Sequence, residues 1–211
     1  MGRAFTKEER DEVQEKLRRT GLKLLAKDGI RNISIRELTK EVGIAQGGFY
    51  NFYKDKEEFV LDLFLLRIRE KTQIILSEKE KTVDDPRMFI INLLFQNGMH
   101  LKENKAFDNA KSGTIEFFMR YRNSSSDPSR LIYKDLLIEM IDFWEANGWK
   151  IECDIDAVLD VGTMSGILFS NAGMIDEENF EKIFKTFCES EVDRFFKSEK
   201  RKIKRSNKEC I

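Results

Sequence analysis

Apolar residues recur at helical spacing along almost the whole chain, and this periodicity constrains the fold more than any other feature of the sequence. A first helix is predicted over residues 6–28, with Gly29 as its stop signal and an apolar face formed by Val13, Leu17, Leu24 and Leu25. No stretch alternates apolar and polar residues between hairpin turns, so strands are not expected. The chain also has only 2 prolines to interrupt long helices. The pattern therefore predicts an all-α protein.

The helical segments divide into a small head and a larger body. Three helices are predicted before Lys54, and the chain then restarts with Asp55 as an N-cap. Further helices are predicted at about 55–81, 87–104, 107–122, 128–147, 154–173 and 176–203, which makes about nine helices in total. We predict a head over residues 1–54, a body over 55–203 and a basic tail over 204–211. A length of 211 residues is sufficient for one well-buried domain and a small one.

Within the head, two short helices separated by a glycine turn have the layout of a helix-turn-helix. Ser34 and Glu37 form a capping-box pattern that opens a helix ending near Gly43, and Gly43 can adopt the left-handed conformation of a tight turn. A second short helix is predicted over residues 45–52. The apolar side chains expected to pack on Leu24 and Leu25 are Ile35, Leu38, Val42, Ile44 and Phe49. In a helix-turn-helix the second helix enters the major groove of DNA.

The polar residues of this second helix suit contacts to DNA. Gln46 and Asn51 can each form two hydrogen bonds to adenine, and Tyr50 can reach a phosphate or a thymine methyl. Arg36, Lys54 and Lys56 flank the helix as candidate phosphate contacts, which position a protein without reading sequence. Gln46 and Asn51 could instead be plain surface residues, Arg36 and Lys56 could be only solvated charges, and Tyr50 could be a core aromatic residue. The predicted DNA-binding surface consists of Ser34, Arg36, Ala45, Gln46, Gly47, Gly48, Tyr50, Asn51, Lys54 and Lys56.

The charge distribution agrees with a polyanion partner for the front of the chain. The net charge is −1, but residues 1–56 carry an excess of 4 positive charges and residues 57–196 an excess of 10 negative charges. Residues 197–211 carry an excess of 5 positive charges, and this tail could be a disordered helix end or an additional DNA contact. Ordinary scatter in composition could also give the excess in the head.

Several other functional classes are not favoured by the sequence. The charged start of the chain and the absence of long apolar runs predict no signal peptide and no transmembrane helix. Cys153, Cys188 and Cys210 are odd in number and widely separated, which is typical of reduced thiols in the cytoplasm. His100 and Glu103 are half of a metal site without a second histidine, so no metal and no cofactor are predicted. No catalytic motif is present, so an enzyme is not expected.

Residues 10–66 resemble the DNA-binding domain of the TetR (tetracycline-repressor-like) family. The resemblance is carried by Leu25-Ala26, Gly29, Ser34-Ile35-Arg36-Glu37-Leu38, Val42-Gly43-Ile44, Gly47, Phe49-Tyr50 and Lys54-x-Lys56-Glu57-Glu58. It implies that Tyr50 touches the DNA backbone and that Lys56 clamps a phosphate. Two residues depart from the family pattern. Ala45 replaces the usual serine or threonine cap, and Gly48 stands where threonine is common, so the second helix is expected to be loose until DNA orders it.

The resemblance also implies a homodimer, with the last two helices pairing with those of a second copy. Both helices carry broad apolar stripes, and small residues in the first of them permit close approach. The same stripes could simply be intramolecular core. The predicted dimer interface consists of Val158, Gly162, Gly166, Phe169, Phe184, Phe187, Val192 and Phe195.

The resemblance further implies a cavity for an unknown small-molecule effector in the body. Candidate lining residues are Phe89, Phe95, Met99, Phe117, Phe118, Tyr121, Trp144 and Met164, although aromatic stripes at helical spacing are more often core. We therefore predict a cytoplasmic, homodimeric transcription regulator that binds double-stranded DNA at a palindromic operator. A repressor released by the effector is favoured, and an activator or co-activator acting through a protein partner is the alternative. The sequence leaves the effector, the operator and the regulated genes open.

Overall fold

The computed structural model describes residues 6–103, 127–170 and 176–201, and these ranges are mostly helical. The helices are α1 (Lys7–Asn32), α2 (Ile35–Val42), α3 (Lys56–Ser77), α4 (Pro86–Glu103), α5 (Pro128–Ala146), α6 (Ile155–Ser170) and α7 (Glu177–Phe195). A 3-10 helix at Gln46–Asn51, here called the reader helix, lies between α2 and α3. The predicted helical class is confirmed. The helix predicted over residues 107–122 and the tail 204–211 lie outside the described residues.

The chain forms two compact units. Unit 1 takes its described residues from 1–72 and 99–131, and unit 2 takes its described residues from 73–98 and 132–211. The predicted head lies within unit 1, which also contains the first part of α3. The domain division at residue 54 stays a prediction.

The helix ends of the head follow from local signals in the sequence. Thr6 and Glu9 form a reciprocal capping box at the start of α1. Gly29 has φ 74° and ψ 171° and interrupts the helical geometry of α1 near its end, where the stop signal is predicted. Gly43 ends α2 with φ 82°, and its N–H donates to the Thr39 carbonyl over 3.0 Å. The predicted glycine turn between the two short helices is confirmed.

The core of unit 1 lies where α1, α2, the reader helix and α3 meet. Leu17, Leu24, Leu38 and Phe49 are buried together there with residues from the start of α3. The predicted packing of both short helices on Leu24 and Leu25 is confirmed. The approach of α1 and α3 needs a glycine at position 21, because a Cβ atom there would lie 2.3 Å from Cζ of Phe59.

Unit 2 contains a two-stranded antiparallel sheet, so the prediction that the chain has no strands is wrong. Strand β1 (Trp149–Cys153) pairs with β2 (Phe196–Lys200), with Trp149 opposite Lys200 and Cys153 opposite Phe196. The predicted last helix over 176–203 ends at Phe195 instead. Phe196 is extended and buried, with its ring 5.9 Å from that of Trp144, so core packing and strand pairing turn the chain out of the helix.

The helix predicted over 55–81 is shorter than expected. It is followed by a short segment, residues 79–83, that we call the connecting turn. Helix α3 stops at Ser77, and Lys79–Thr82 form a 3-10 helix. Nε1 of Trp144 donates to Oγ1 of Thr82 over 2.8 Å, and Nε1 of Trp149 donates to the Val83 carbonyl over 2.7 Å. Both buried indoles are thereby satisfied, and they fix the turn within unit 2.

Candidate nucleic-acid interface

The reader helix is attached to unit 1 by one buried side chain and presents the others to solvent. Phe49 is fully buried, and its ring centroid lies 5.5 Å from those of Tyr53 and Phe59. Gln46, Gly47 and Asn51 are exposed, and Tyr50 is 55% exposed. A surface that exposes an aromatic ring beside two amides is suited to a polar, partly apolar partner such as a base-pair edge.

The second short helix is a 3-10 helix of six residues, Gln46–Asn51, where the sequence predicts a helix over 45–52. Ala45 supplies no side-chain hydrogen bond to its first turn, as expected from the missing hydroxyl. Gly48 donates to the Ala45 carbonyl over 2.8 Å, which is a tight 3-10 contact. Two glycines and an unaided first turn give little intrinsic drive toward a regular α-helix, which accounts for this geometry.

Helix α2 supports the turn and carries a cation at the surface. Oγ of Ser34 accepts from the Glu37 N–H over 3.3 Å, so the first half of the predicted capping box is present. The predicted phosphate contact Arg36 is exposed. Ser34 is half-buried and caps α2. It would therefore affect DNA binding indirectly, by fixing the position of this helix.

The start of α3 carries the other two predicted phosphate contacts. Asp55 accepts from the Glu58 N–H over 2.8 Å, which confirms it as the N-cap. A carboxylate oxygen of Glu58 accepts from the Lys54 N–H over 2.6 Å, and this fixes the chain between the reader helix and α3. The side chain of Lys54 is exposed, whereas Lys56 is half-buried, and its desolvation lowers the pKa of its ammonium group.

Arg10 of α1 supports the far end of the reader helix, a role that the sequence analysis missed. Its guanidinium donates to the Asn51 carbonyl over 2.9 Å and lies 5.1 Å from the centroid of the Phe52 ring. No local pattern reveals this contact, because 41 residues separate the two partners.

A second group that the sequence analysis missed joins three elements of unit 1, and we call Arg18, Tyr53 and Asp62 the Asp62 cluster. Arg18 donates to Oδ2 of Asp62 from Nε over 2.7 Å and to Oδ1 from Nη2 over 2.9 Å. The Tyr53 hydroxyl donates to Oδ2 over 2.7 Å. Partial burial would raise the pKa of Asp62, but the bonds from Arg18 and Tyr53 outweigh it and lower that pKa. Burial beside this carboxylate raises the pKa of the Tyr53 hydroxyl.

The predicted dimer residues are distributed between the interior and the surface of unit 2. Val158, Phe184 and Val192 are buried within the single chain, and Gly162 lies close to Leu94. Phe187 and Phe195 are half-buried, whereas for Gly166 and Phe169 the structure describes only the helical backbone. Buried side chains have little surface left for a second chain. Among the described side chains of α6 and α7, the exposed large apolar ones are Met164, Leu168 and Ile183.

The structure does not gather the predicted pocket residues into one described site. Trp144 is fully buried with a satisfied indole, Phe95 stacks on Phe184 at 5.7 Å between centroids, and Met164 is 52% exposed. Phe89 and Met99 are half-buried. Phe117, Phe118 and Tyr121 lie outside the described residues. In residues 6–103, 127–170 and 176–201, no group of three or more His, Cys, Asp or Glu is arranged to hold a metal ion.

None of the helices in the described part of the chain is both long and apolar enough to cross a membrane.

Residues 17–63 match the family model of bacterial regulatory proteins of the tetR family. This range contains α2, the reader helix and the Asp62 cluster. No curated protein sequence matches the chain.

Two solved structures share the fold. A TetR transcriptional regulator from Rhodococcus sp. RHA1 has a TM-score of 0.61 and 14% identity, covering 87% of this chain and 97% of that one. A TetR transcription regulator from Haloarcula marismortui ATCC 43049 has a TM-score of 0.53 and 16% identity, covering 89% of this chain and all of that one. At these identities the likeness shows the fold. The family match rests on the helix-turn-helix region.

Proposed function

We propose that the chain is a DNA-binding transcriptional regulator of the TetR family, and that it acts as a cytoplasmic, non-enzymatic homodimer that represses transcription from a palindromic operator. The observation that carries this proposal is the exposed face of the reader helix. This face exposes Gln46, Tyr50 and Asn51 to solvent. The reader helix is anchored by Phe49, which is buried in the core that holds both short helices.

Each part of this surface has a defined task in the proposed complex. Gln46 and Asn51 contact base edges in the major groove, and Tyr50 contacts the DNA backbone or a thymine methyl. Arg36, Lys54 and Lys56 contact phosphates on either side of the groove.

Dimerisation through α6 and α7 is supported by their exposed apolar side chains. Met164, Leu168 and Ile183 are 40–59% exposed in the single chain, and burying such apolar side chains against a second copy would be favourable. Two copies would also place two reader helices on one duplex. Each helix would read one half of a palindrome, so a weak individual contact becomes a specific pair.

Release by a small-molecule effector completes the proposal. An effector that binds better to a conformation in which the reader helices are misplaced lowers operator affinity by the same factor, typically about 1–3 kcal/mol of coupling. Partly buried aromatic groups such as Phe89, whose ring lies 5.7 Å from that of Trp144, supply apolar contacts of the kind that effector sites use.

A second candidate function keeps the fold but replaces repression by activation through a protein partner. The observation that favours it is the reader helix itself, which has no side-chain cap and contains two glycines. Such a helix is less preordered for DNA than a capped α-helix. In that case operator binding would be weak without the partner.

The test is a selection of duplexes from a random library by the full chain, followed by a gel-shift titration of the selected sequence at several salt concentrations. We expect a palindromic site whose affinity falls steeply with salt, because phosphate contacts release counterions. The double variant Gln46→Ala, Asn51→Ala should lose sequence preference but keep salt-dependent binding. Arg36→Ala should reduce binding to every duplex. No enrichment of any sequence would refute the proposal, and enrichment only with an added partner protein would favour the alternative.

A further inference from the structure

Few contacts hold the reader helix in its orientation. Its only buried side chain is Phe49, and the first turn lacks a side-chain cap. The Arg10 guanidinium holds the Asn51 carbonyl at an exposed position. A helix with so few attachments can tilt on the core, and a small tilt would shift its exposed side chains out of reach of the base edges.

Tyr53, two residues after the reader helix, is attached to the core of unit 1 through its backbone, its ring and its hydroxyl. Its N–H donates to the Phe49 carbonyl over 3.2 Å, its ring lies 4.9 Å from that of Phe59, and only 4% of it is exposed. The ring alone would be satisfied by apolar packing, as a phenylalanine would be. The hydroxyl adds a directional bond of 2.7 Å to Oδ2 of Asp62 on α3.

Asp62 is held in turn by Arg18 of α1. The two parallel hydrogen bonds from the guanidinium, at 2.7 and 2.9 Å, leave the carboxylate one orientation. Three elements of unit 1 therefore meet at one carboxylate: α1 through Arg18, α3 through Asp62, and the end of the reader helix through Tyr53.

We propose that the Asp62 cluster positions the reader helix for sequence recognition, with the Tyr53 hydroxyl as the positioning group and Arg18 as the group that orients Asp62. The inference rests on the proposed function, because it assigns residues that act through the reader helix and do not touch DNA. Phosphate contacts tolerate small shifts of a cation, whereas bidentate contacts to bases do not. Loss of the cluster thus reduces specific binding more than general binding.

The test compares Tyr53→Phe with the wild-type full chain on the selected operator and on a scrambled duplex of the same length. The substitution removes one oxygen and keeps the buried ring. We expect the ratio of specific to nonspecific affinity to fall by about tenfold, as for a lost hydrogen bond to a charged group. The Kd for the scrambled duplex should stay within about twofold of the wild type.

Thr82→Val in unit 2 is the matched control. It removes the hydroxyl that accepts from the Trp144 indole and therefore lowers stability without touching unit 1. All titrations are made well below the melting temperature of each variant. If the Tyr53 hydroxyl only stabilised the fold, the ratio of specific to nonspecific affinity would be unchanged in both Tyr53→Phe and Thr82→Val. A drop in this ratio that is confined to Tyr53→Phe therefore supports the proposal that the hydroxyl positions the reader helix.

Arg18→Lys provides a second variant that keeps the charge but loses the bidentate geometry, and it should give a smaller drop in the same ratio. The double variant Tyr53→Phe, Arg18→Lys should lose less than the sum of the two single effects, because both act through Asp62. Equal ratios in the wild type and both single variants would overturn the inference while the proposed function stands. Absence of any preferred duplex for the wild type would overturn both.

Discussion

Asp62 shows how one side chain can connect elements that are distant in sequence. It accepts hydrogen bonds from Arg18, 44 residues earlier, and from Tyr53, 9 residues earlier. The sequence indicates neither contact, because a carboxylate in an amphipathic helix has no pattern that distinguishes a paired group from a solvated one. By contrast, the roles of Gly43 and Asp55 are readable from sequence, since turn and cap preferences are local.

The lowered pKa of Asp62 predicts how its stabilising effect depends on pH. A carboxyl group whose pKa is lower in the folded state stabilises the fold above its unfolded pKa, near 3.8, and this stabilisation is lost as the pH falls through the folded value. The free energy of unfolding of Asp62→Asn should therefore be lower than that of the wild type at neutral pH. The difference should shrink in acid, and urea unfolding at a series of pH values measures it. A difference that grows in acid would contradict the prediction.

Two glycines in helix interiors should respond in opposite ways to alanine. A Cβ atom at Gly21 would lie 2.3 Å from Cζ of Phe59 and 2.9 Å from Cδ1 of Leu63, so Gly21→Ala should destabilise the protein by about 1–3 kcal/mol. At Gly162 the nearest atom would be Cδ2 of Leu94 at 3.5 Å, an ordinary contact, so Gly162→Ala should be neutral or stabilise by up to about 1 kcal/mol. Thermal unfolding of the two variants side by side checks the sign, and equal shifts would refute the packing argument.

At the scale of elements, the positions of helices are predictable from sequence, whereas the two strands are not. Periodicity and caps locate α1, α2 and the start of α3, because these signals lie within the segments themselves. Strand β1 does alternate, from Trp149 to Cys153, but over only five residues and without a hairpin partner. Its partner begins at Phe196, where the apolar stripe of α7 continues without a break. Only the tertiary pairing distinguishes the end of α7 from the start of β2.

The two glycines of the reader helix give a prediction about this element. Among the described residues, a Cβ atom at Gly48 would contact only the Ile44 side chain at 3.8 Å, and one at Gly47 would contact nothing within 4 Å. Both φ values are negative, so alanine at either position should stabilise the helix by up to about 1 kcal/mol. Thermal unfolding measures this gain.

The two variants should differ on DNA. Gly48 is half-buried beside Ile44 of the glycine turn, so Gly48→Ala should keep or strengthen operator binding. Gly47 is exposed on the surface predicted to face the groove, so Gly47→Ala should weaken binding to the operator although it stabilises the fold. Equal affinities for the two variants would mean that Gly47 does not face the DNA.

For the whole molecule, the proposed dimer depends on apolar surface that remains on α6 and α7. The sequence correctly marks these helices as apolar, but it cannot separate residues that face the chain's own core from residues that face outward. Val158 and Phe184 are buried, whereas Met164 and Ile183 are exposed. Both classes follow helical spacing, and only the packing of unit 2 decides between them.

Ile183→Glu should separate the proposed dimer. A charge introduced at a surface that is buried between two copies is left without solvent, so the variant should sediment as a monomer and lose operator binding. Ile74→Glu is the matched control, since Ile74 is 62% exposed and Ile183 is 59% exposed. The control should keep the mass and the DNA binding of the wild type. A monomeric wild type, or an Ile183→Glu dimer with normal operator affinity, would contradict the assignment.

The connecting turn has a practical consequence for studying this protein. Both tryptophans of the chain donate their indole N–H to residues 82 and 83. Intrinsic fluorescence excited at the tryptophan band is thus a report on one short segment without an added label, because both emitting indoles contact that segment. Each effector or duplex added to the protein can be screened optically for whether it disturbs the point at which the chain leaves α3.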